Sequence, residues 1–162
     1  MDVGKSLLYN PYQQSFLQAR RLRYAVCCHK IGAVGSDGLF RCPSCGLLDL
    51  MAPRVYRRLG IFAGRRGGKS VIGAHGAREE MRVSDTLGWV CGPTNEILHD
   101  ATMPTLLKII PREWCLDWNA ENNELTLVNR AKVQFRSLHD PGRGHAGVGL
   151  HWLWIDEAAF VS

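Results

Sequence analysis

Residues 63–70 read AGRRGGKS, and this stretch decides which fold the sequence predicts. It fits the phosphate-binding loop pattern at every position except the first, where alanine stands in place of glycine. Glycines let backbone N–H groups turn inward around phosphate oxygens, and a following helix adds the positive end of its dipole. Lys69 would reach the β- and γ-phosphates, and the Ser70 hydroxyl would ligate Mg²⁺. The residues that we expect to bind a nucleotide in this stretch are Gly64, Arg66, Gly67, Gly68, Lys69 and Ser70.

The segments around the loop alternate between strand and helix patterns, which favours an α/β fold with a mainly parallel sheet. A short apolar strand is predicted over residues 59–63, before the loop, and a helix over residues 70–82 after it. The other predicted elements are a helix over 12–24, a strand over 87–91, a helix from Thr94 towards Ile110 that Pro104 breaks or kinks, a hairpin of 125–128 and 132–135 around Asn129 and Arg130, and a strand over 151–155.

Two carboxylates, Asp156 and Glu157, follow the last apolar strand. A buried parallel strand delivers such side chains to the edge of the sheet where ligands bind. Asp156 would hold Mg²⁺ through water, and Glu157 would orient and deprotonate the attacking water. Taken alone, the pair is better explained as two solvated acids. Because it follows the phosphate loop in the expected order, we predict a P-loop NTPase core that uses ATP and Mg²⁺, with a RecA-like parallel sheet flanked by helices.

Composition restricts the class of protein. The 162 residues, 46% hydrophobic and 22% charged, suit one globular domain and exclude disordered, collagen-like and coiled-coil chains. No run approaches the roughly 18 apolar residues of a membrane span, and residues 1–5 lack a signal-peptide pattern, so we expect an intracellular protein without a membrane. Residues 1–60 hold nine lysines and arginines against three acidic residues, which is compatible with nucleic-acid contact or with a solvated basic face.

A cysteine-rich stretch, residues 27–46, contains CCH at 27–29 and CPSCG at 42–46. A Cys-x-x-Cys-Gly turn directs two thiolates at one ion, so we predict a small structural zinc insert, with buried or free thiols as the alternative. Alternate residues of an extended chain point to the same side, which favours Cys27 with His29 over adjacent pairs. The expected ligands are Cys27, His29, Cys42 and Cys45, with Cys28 as the alternative ligand.

Several motifs together resemble the ATPase motor half of the large terminase subunit of tailed phages. They are PYQQSF at residues 11–16, the arginine-containing phosphate loop, GPT at 92–94, the hairpin, GRG at 142–144 and IDEAA at 155–159. The resemblance implies an ATP-hydrolysing motor that packages double-stranded DNA into a procapsid. The implied partners are double-stranded DNA, a portal protein, a small terminase subunit and further copies in a ring, and the implied location is the host cytoplasm.

The resemblance also implies roles for single residues. Gln13 would read the adenine, unless it is a helix-surface glutamine. Arg65 would offset charge on the γ-phosphoryl in the transition state, and Arg66 could do the same or contact solvent. Arg143 resembles an arginine finger that some members offer to a neighbouring subunit, although an ordinary loop arginine explains it equally well.

The expected organisation is an adenine-motif helix over residues 1–26, a zinc insert over 27–46 and an ATPase core over 47–162. The family's coupling strand and nuclease carboxylates follow the acidic pair, so we interpret the sequence as the N-terminal part of a longer protein whose sheet is incomplete at its C-terminus. Two alternatives remain open: a fragment of a superfamily 2 type helicase, and a zinc-ribbon nucleic-acid-binding module with an inactive ATPase remnant.

Overall fold

A computed structural model of the chain describes residues 11–25, 27–37, 39–48, 58–62, 66–139 and 149–160. The chain divides into two units, Met1–Phe62 and Ala63–Ser162. Within the described residues, no helix is both long and apolar enough to cross a bilayer.

The first unit contains helix α1 (Pro11–Arg21) and an antiparallel hairpin of β1 (Leu22–Ala25) and β2 (Lys30–Ala33). A single bridge between Arg41 and Leu48 closes a second, shorter hairpin. The helix predicted over residues 12–24 therefore ends three residues early, at Arg21. Residues 22–25 pair with β2 instead, because the ladder hydrogen bonds of a neighbouring strand outweigh weak helical periodicity.

The second unit contains a mixed five-stranded sheet with helices packed against it. In chain order its elements are α2 (Lys69–Glu80), β3 (Leu87–Gly92), α3 (Asn95–Ile97), α4 (Met103–Leu107), β4 (Cys115–Asn119), β5 (Glu124–Leu127), β6 (Lys132–Ser137) and β7 (Trp152–Ile155). The strand order is β4-β5-β6-β3-β7, with β6, β3 and β7 mutually parallel and the remaining pairs antiparallel. The predicted strands and hairpin at these positions are confirmed, whereas β4 was not predicted.

One face of this sheet forms the core of the second unit. Val90, Val133 and Phe135 of the central strands are almost fully buried there, and Ala74 and Ala77 of α2 pack against them. Small alanines allow a helix to approach a sheet closely. The parallel strands and α2 thus pack together, and the carboxyl ends of β3 and β7 lie at the same edge of the sheet.

The strand predicted over residues 59–63 is not formed where the structure describes it, at Leu59–Phe62. Ala63 lies outside the described residues. Along the described chain, β7 pairs with β3 only, and no strand pairs with Leu59–Phe62. A four-residue apolar segment without a neighbour gains no ladder hydrogen bonds, and its apolar pattern alone does not make it a strand.

The helix that follows β3 begins as predicted, because Thr94 Oγ1 accepts a hydrogen bond from the Ile97 N–H at 3.2 Å. It is not regular, however. A π-helical segment, Leu98–Thr102, joins α3 to α4, and Pro104 occupies the first turn of α4. Proline has no N–H to donate to the preceding turn, so the irregular hydrogen bonding coincides with the break that the sequence predicts there.

Candidate functional site

The first candidate site joins the start of α2 to the end of β7. Ser70 Oγ donates a hydrogen bond to Asp156 Oδ1 at 3.0 Å, and Thr102 Oγ1 donates to Asp156 Oδ2 at 3.2 Å. Asp156 is 5% exposed, and Thr102 is fully buried. Both oxygens of one buried carboxylate are therefore held by hydroxyl groups from two separate helical segments.

The Asp156 carboxylate is buried and accepts hydrogen bonds from two hydroxyl groups. Within the part of the chain that the structure describes, no lysine or arginine forms an ion pair with it. Burying a carboxylate costs free energy unless it is hydrogen-bonded and paired, or bound to a metal ion. Hydroxyl and carboxylate oxygens are the ligands that Mg²⁺ prefers, so Ser70 and Asp156 fit the requirements of a divalent cation.

Two described residues before α2 have left-handed backbone conformations, which occur in turns that bind anions. Gly68, the N-cap residue, has φ 74°, and no side chain caps the helix start. Arg66 also has positive φ, at 60°. Lys69 and Ser70 are the first two residues of α2, where backbone N–H groups lack partners within the helix. Gly64 and Arg65 lie outside the described residues.

Glu157 follows Asp156 in a left-handed backbone conformation, with φ 50°. A residue other than glycine pays a steric penalty there, and such strain is concentrated at functional sites. The last ladder hydrogen bond runs from the Asp156 N–H to the Cys91 carbonyl at 2.9 Å, and the chain turns sharply after it. Glu157 is half-buried at this turn, directly beside the residue that would bind the cation.

Two glycine–tryptophan contacts set the distance between the elements of this site. A Cβ atom at Gly73 would overlap the indole of Trp154, so α2 lies directly on β7 at this point. In the same way, Gly88 of β3 leaves room for the indole of Trp152. These contacts bring the first turn of α2 within hydrogen-bonding reach of the carboxyl end of β7.

Two further predicted site residues, Gln13 and Arg143, belong to other parts of the chain. Gln13 lies half-buried on α1, in the first unit. Arg143 lies outside the described residues. The structure thus brings together Ser70 and Asp156, with Lys69 and Glu157 as their neighbours in the chain, and it adds Thr102, which was not predicted.

The second candidate site is a group of four cysteines in the first unit. The Sγ atoms of Cys27, Cys28, Cys42 and Cys45 all lie within 4.8 Å of one another, and this group could hold a metal ion. Cys27 and Cys28 occupy the turn between β1 and β2, and the other two occupy the turn of the Arg41–Leu48 hairpin. Two turns therefore contribute two thiols each to one group.

The second turn is built to stabilise a thiolate. The Ser44 N–H donates to Cys42 Sγ at 3.4 Å, and the Gly46 N–H donates to the Cys42 carbonyl at 2.9 Å. Hydrogen bonds from the backbone N–H groups of Cys45 and Ser44 lower the pKa of Cys42 to about 6. The hydrogen bond between Cys27 and Cys42 raises the pKa of Cys27 to about 12.

The cluster contains Cys28, the predicted alternative ligand, and not His29. The preference for His29 assumed an extended chain, in which alternate side chains point to one side. Residues 27–29 instead form a turn, and His29 has φ 53°, so this alternation does not apply. In a turn, the two adjacent cysteines contribute to the same group.

Comparisons of the chain with models of protein families, with curated proteins and with solved structures find no match.

Proposed function

We propose that the chain is part of an ATP-hydrolysing motor that moves double-stranded DNA, the activity that its resemblance to large terminase subunits implies. The observation that carries the ATPase proposal is the hydrogen bond between Ser70 and Asp156. In P-loop NTPases, the magnesium-binding pair is a hydroxyl in the first turn of the helix after the loop and a carboxylate at the end of a parallel strand.

The strand order supports a P-loop NTPase fold. The strand that carries Asp156, β7, is parallel to β3 and lies beside it, and α2 packs across the buried face of both. In P-loop NTPases of the additional-strand type, a further strand lies between the acidic strand and the phosphate-loop strand. Along the described chain, one edge of β7 lacks a partner, which is where such a strand would add.

Each residue of the site has a defined task in this proposal. Ser70 and Asp156 would hold Mg²⁺, which when bound neutralises charge on the β- and γ-phosphates. Lys69 would bind the same phosphates, together with N–H groups of the loop and of the first turn of α2. Glu157 would accept a proton from the attacking water, since its carboxylate follows the cation-binding residue directly.

We further propose that the four-cysteine group binds zinc. Four thiolates in tetrahedral arrangement form a closed structural zinc site. Among the described residues of the first unit, the hydrophobic cluster around it is small: Phe40 and Cys42 are buried in it, with Cys28 and Val34 packed against them. Units of this size are commonly stabilised by a structural metal ion. The zinc would therefore stabilise the fold of the first unit rather than take part in hydrolysis.

Nucleotide binding in the presence and absence of Mg²⁺ tests the ATPase proposal. Wild-type protein should bind ATP more tightly with Mg²⁺ than with EDTA. Asp156→Asn should lose most of this difference, whereas Asp117→Asn, on the exposed strand β4, should keep it. Equal affinities with Mg²⁺ and EDTA in the wild type would overturn the proposal.

A second measurement addresses the DNA-packaging motor. Double-stranded DNA should stimulate ATP hydrolysis by the protein without separating the strands. ATP-dependent strand separation would instead identify a helicase. If the protein binds nucleic acid without binding ATP, the zinc-ribbon alternative is correct.

A further inference from the structure

We propose that Thr102 is a positioning residue for Mg²⁺: its hydroxyl holds the Asp156 carboxylate in the orientation that binds the cation. This inference rests on the proposed function, because it concerns the same metal site. It assigns a role to the end of β3 and the helix after it, including GPT at residues 92–94, for which the sequence predicts none.

The helix after β3 passes close to the site. Gly92 ends β3, and a Cβ atom there would lie 3.1 Å from backbone and side-chain atoms of Leu98. Glycine therefore lets the helix cross closely over the carboxyl end of β3. Thr94 caps the helix start and fixes where it begins. As a result, the helix runs directly past the edge of the sheet where Asp156 lies.

The π-helical segment changes the direction in which Thr102 points. One additional residue per turn rotates all following side chains by about 100° around the helix axis, and such segments are frequent at functional sites. The segment ends at Thr102, which is fully buried and donates to Asp156 Oδ2. Thr105, three residues further on, donates instead to the Ala101 carbonyl of its own helix at 2.7 Å. The two threonines thus make different contacts, although they belong to one helical stretch.

The two hydroxyl groups restrict the orientation of the Asp156 carboxylate. A carboxylate held at one oxygen can still rotate about its side-chain bonds. Asp156 is held at both oxygens, by Ser70 on one and Thr102 on the other, so its rotation is restricted and its remaining lone pairs keep fixed directions. Groups that orient a metal ligand in this way are commonly worth about 10- to 100-fold in metal affinity.

The test measures binding of N-methylanthraniloyl-ATP to the full chain while Mg²⁺ is titrated. Thr102→Val removes the hydroxyl and should raise the half-saturating Mg²⁺ concentration by about tenfold. Thr102→Ser keeps the hydroxyl and should restore the wild-type value. Thr105→Val is the matched control and should not change it. Nucleotide affinity in EDTA should be the same in all four proteins, which a general loss of structure would not allow.

Two results would overturn the inference, and they distinguish failure of the positioning role from failure of the proposed function. If the wild type binds the nucleotide in a Mg²⁺-dependent manner and folded Thr102→Val has the same dependence, the positioning role is wrong and the proposed function stands. If the wild type shows no Mg²⁺ dependence, both are wrong. Should Thr102→Val fail to fold, Thr102→Ala also lacks the hydroxyl without adding bulk, and the same criteria apply to it.

Discussion

Ser70 and Asp156 are separated by 86 residues in the sequence, yet the hydroxyl of one donates to the carboxylate of the other at 3.0 Å. This contact joins the loop–helix segment to the acidic pair, two motifs that the sequence shows only as separate patterns. It depends on close packing of α2 against β7, which Gly73 allows beside Trp154.

Replacing Lys69 by alanine should weaken ATP binding about tenfold or more, because the variant would lose the charge-assisted contact with the phosphates that we propose for Lys69. Lys108→Ala is the control, since Lys108 is exposed at the end of α4 and far from the phosphate loop in sequence. Isothermal titration calorimetry with ATP and Mg²⁺ measures the affinities. Equal affinities in Lys69→Ala and wild type would contradict the assignment of the phosphate-binding loop.

Glu157→Gln should leave ATP binding near the wild-type value and reduce hydrolysis about 100-fold or more, because the amide cannot accept the proton of the attacking water. Phosphate release in the presence of double-stranded DNA measures the rate. Glu113→Gln, in an exposed turn before β4, serves as the control and should hydrolyse ATP normally. Normal turnover in Glu157→Gln would refute the general-base assignment.

Purified wild-type protein should contain about one zinc ion per chain, bound by four thiolates. Cys28→Ser should lower this content strongly, whereas His29→Ala should not, because Cys28 belongs to the thiol group and His29 does not. Cys115→Ser controls for loss of an exposed cysteine outside the cluster. Elemental analysis of the folded proteins measures the zinc content per chain. Zinc lost in His29→Ala but kept in Cys28→Ser would show that the ligand set is wrong.

Gly88→Ala should lower the free energy of unfolding by at least about 2 kcal/mol, since a methyl group there would overlap the Trp152 indole in a packed core. The matched control is Gly149→Ala, because among the described residues no atom outside its chain neighbours lies within 4 Å of a Cβ at that position. Urea denaturation of both variants measures the difference. Equal stability of the two variants would mean that β3 and β7 are not packed as described.

Stability should depend on pH through the ion pair of Asp85 and Arg130, in which Arg130 Nε and Nη2 donate to the two carboxylate oxygens at 2.7 and 2.9 Å. Hydrogen bonding to Arg130 lowers the pKa of Asp85. A carboxyl whose pKa is lower in the folded than in the unfolded state stabilises the fold above its unfolded pKa, and this contribution is lost as the pH falls through the folded pKa.

Acidification below about pH 4 should therefore destabilise the wild type more than Asp85→Asn, which has no such carboxyl to protonate. Thermal unfolding at several pH values between neutral and acidic measures how steeply the stability of each protein falls with pH. Asp117→Asn should retain the wild-type slope. If Asp85→Asn loses stability on acidification as steeply as the wild type, the ion pair contributes nothing.

Local patterns in the sequence were sufficient for much of the second unit. Alternating apolar residues predicted β5 and β6, and the continuous apolar runs predicted β3 and β7. The order of residues 127–132, with Asn129 and Arg130 at the turn, predicted the hairpin between β5 and β6. These features depend on neighbours in the chain, and such information is present in a short window of sequence.

Contacts between distant residues could not be predicted in this way. The strand expected at residues 59–63 lacks a neighbour where it is described, and β4 forms because β5 provides one. No sequence signal marks Thr102, because the π-helical segment changes the side of the helix on which it lies. Irregular hydrogen bonding of this kind has no characteristic residue pattern.

The sequence by itself determined which chemical groups the protein has: a glycine-rich loop with Lys69 and Ser70, an acidic pair after an apolar strand, and two groups of cysteines. Only the tertiary structure decided which of them meet. It placed Ser70 and Thr102 on the two oxygens of Asp156, and Cys28 in place of His29 among the thiols. The physical reason is that ligand type is a property of single residues, whereas distance and direction arise from packing and turn conformation.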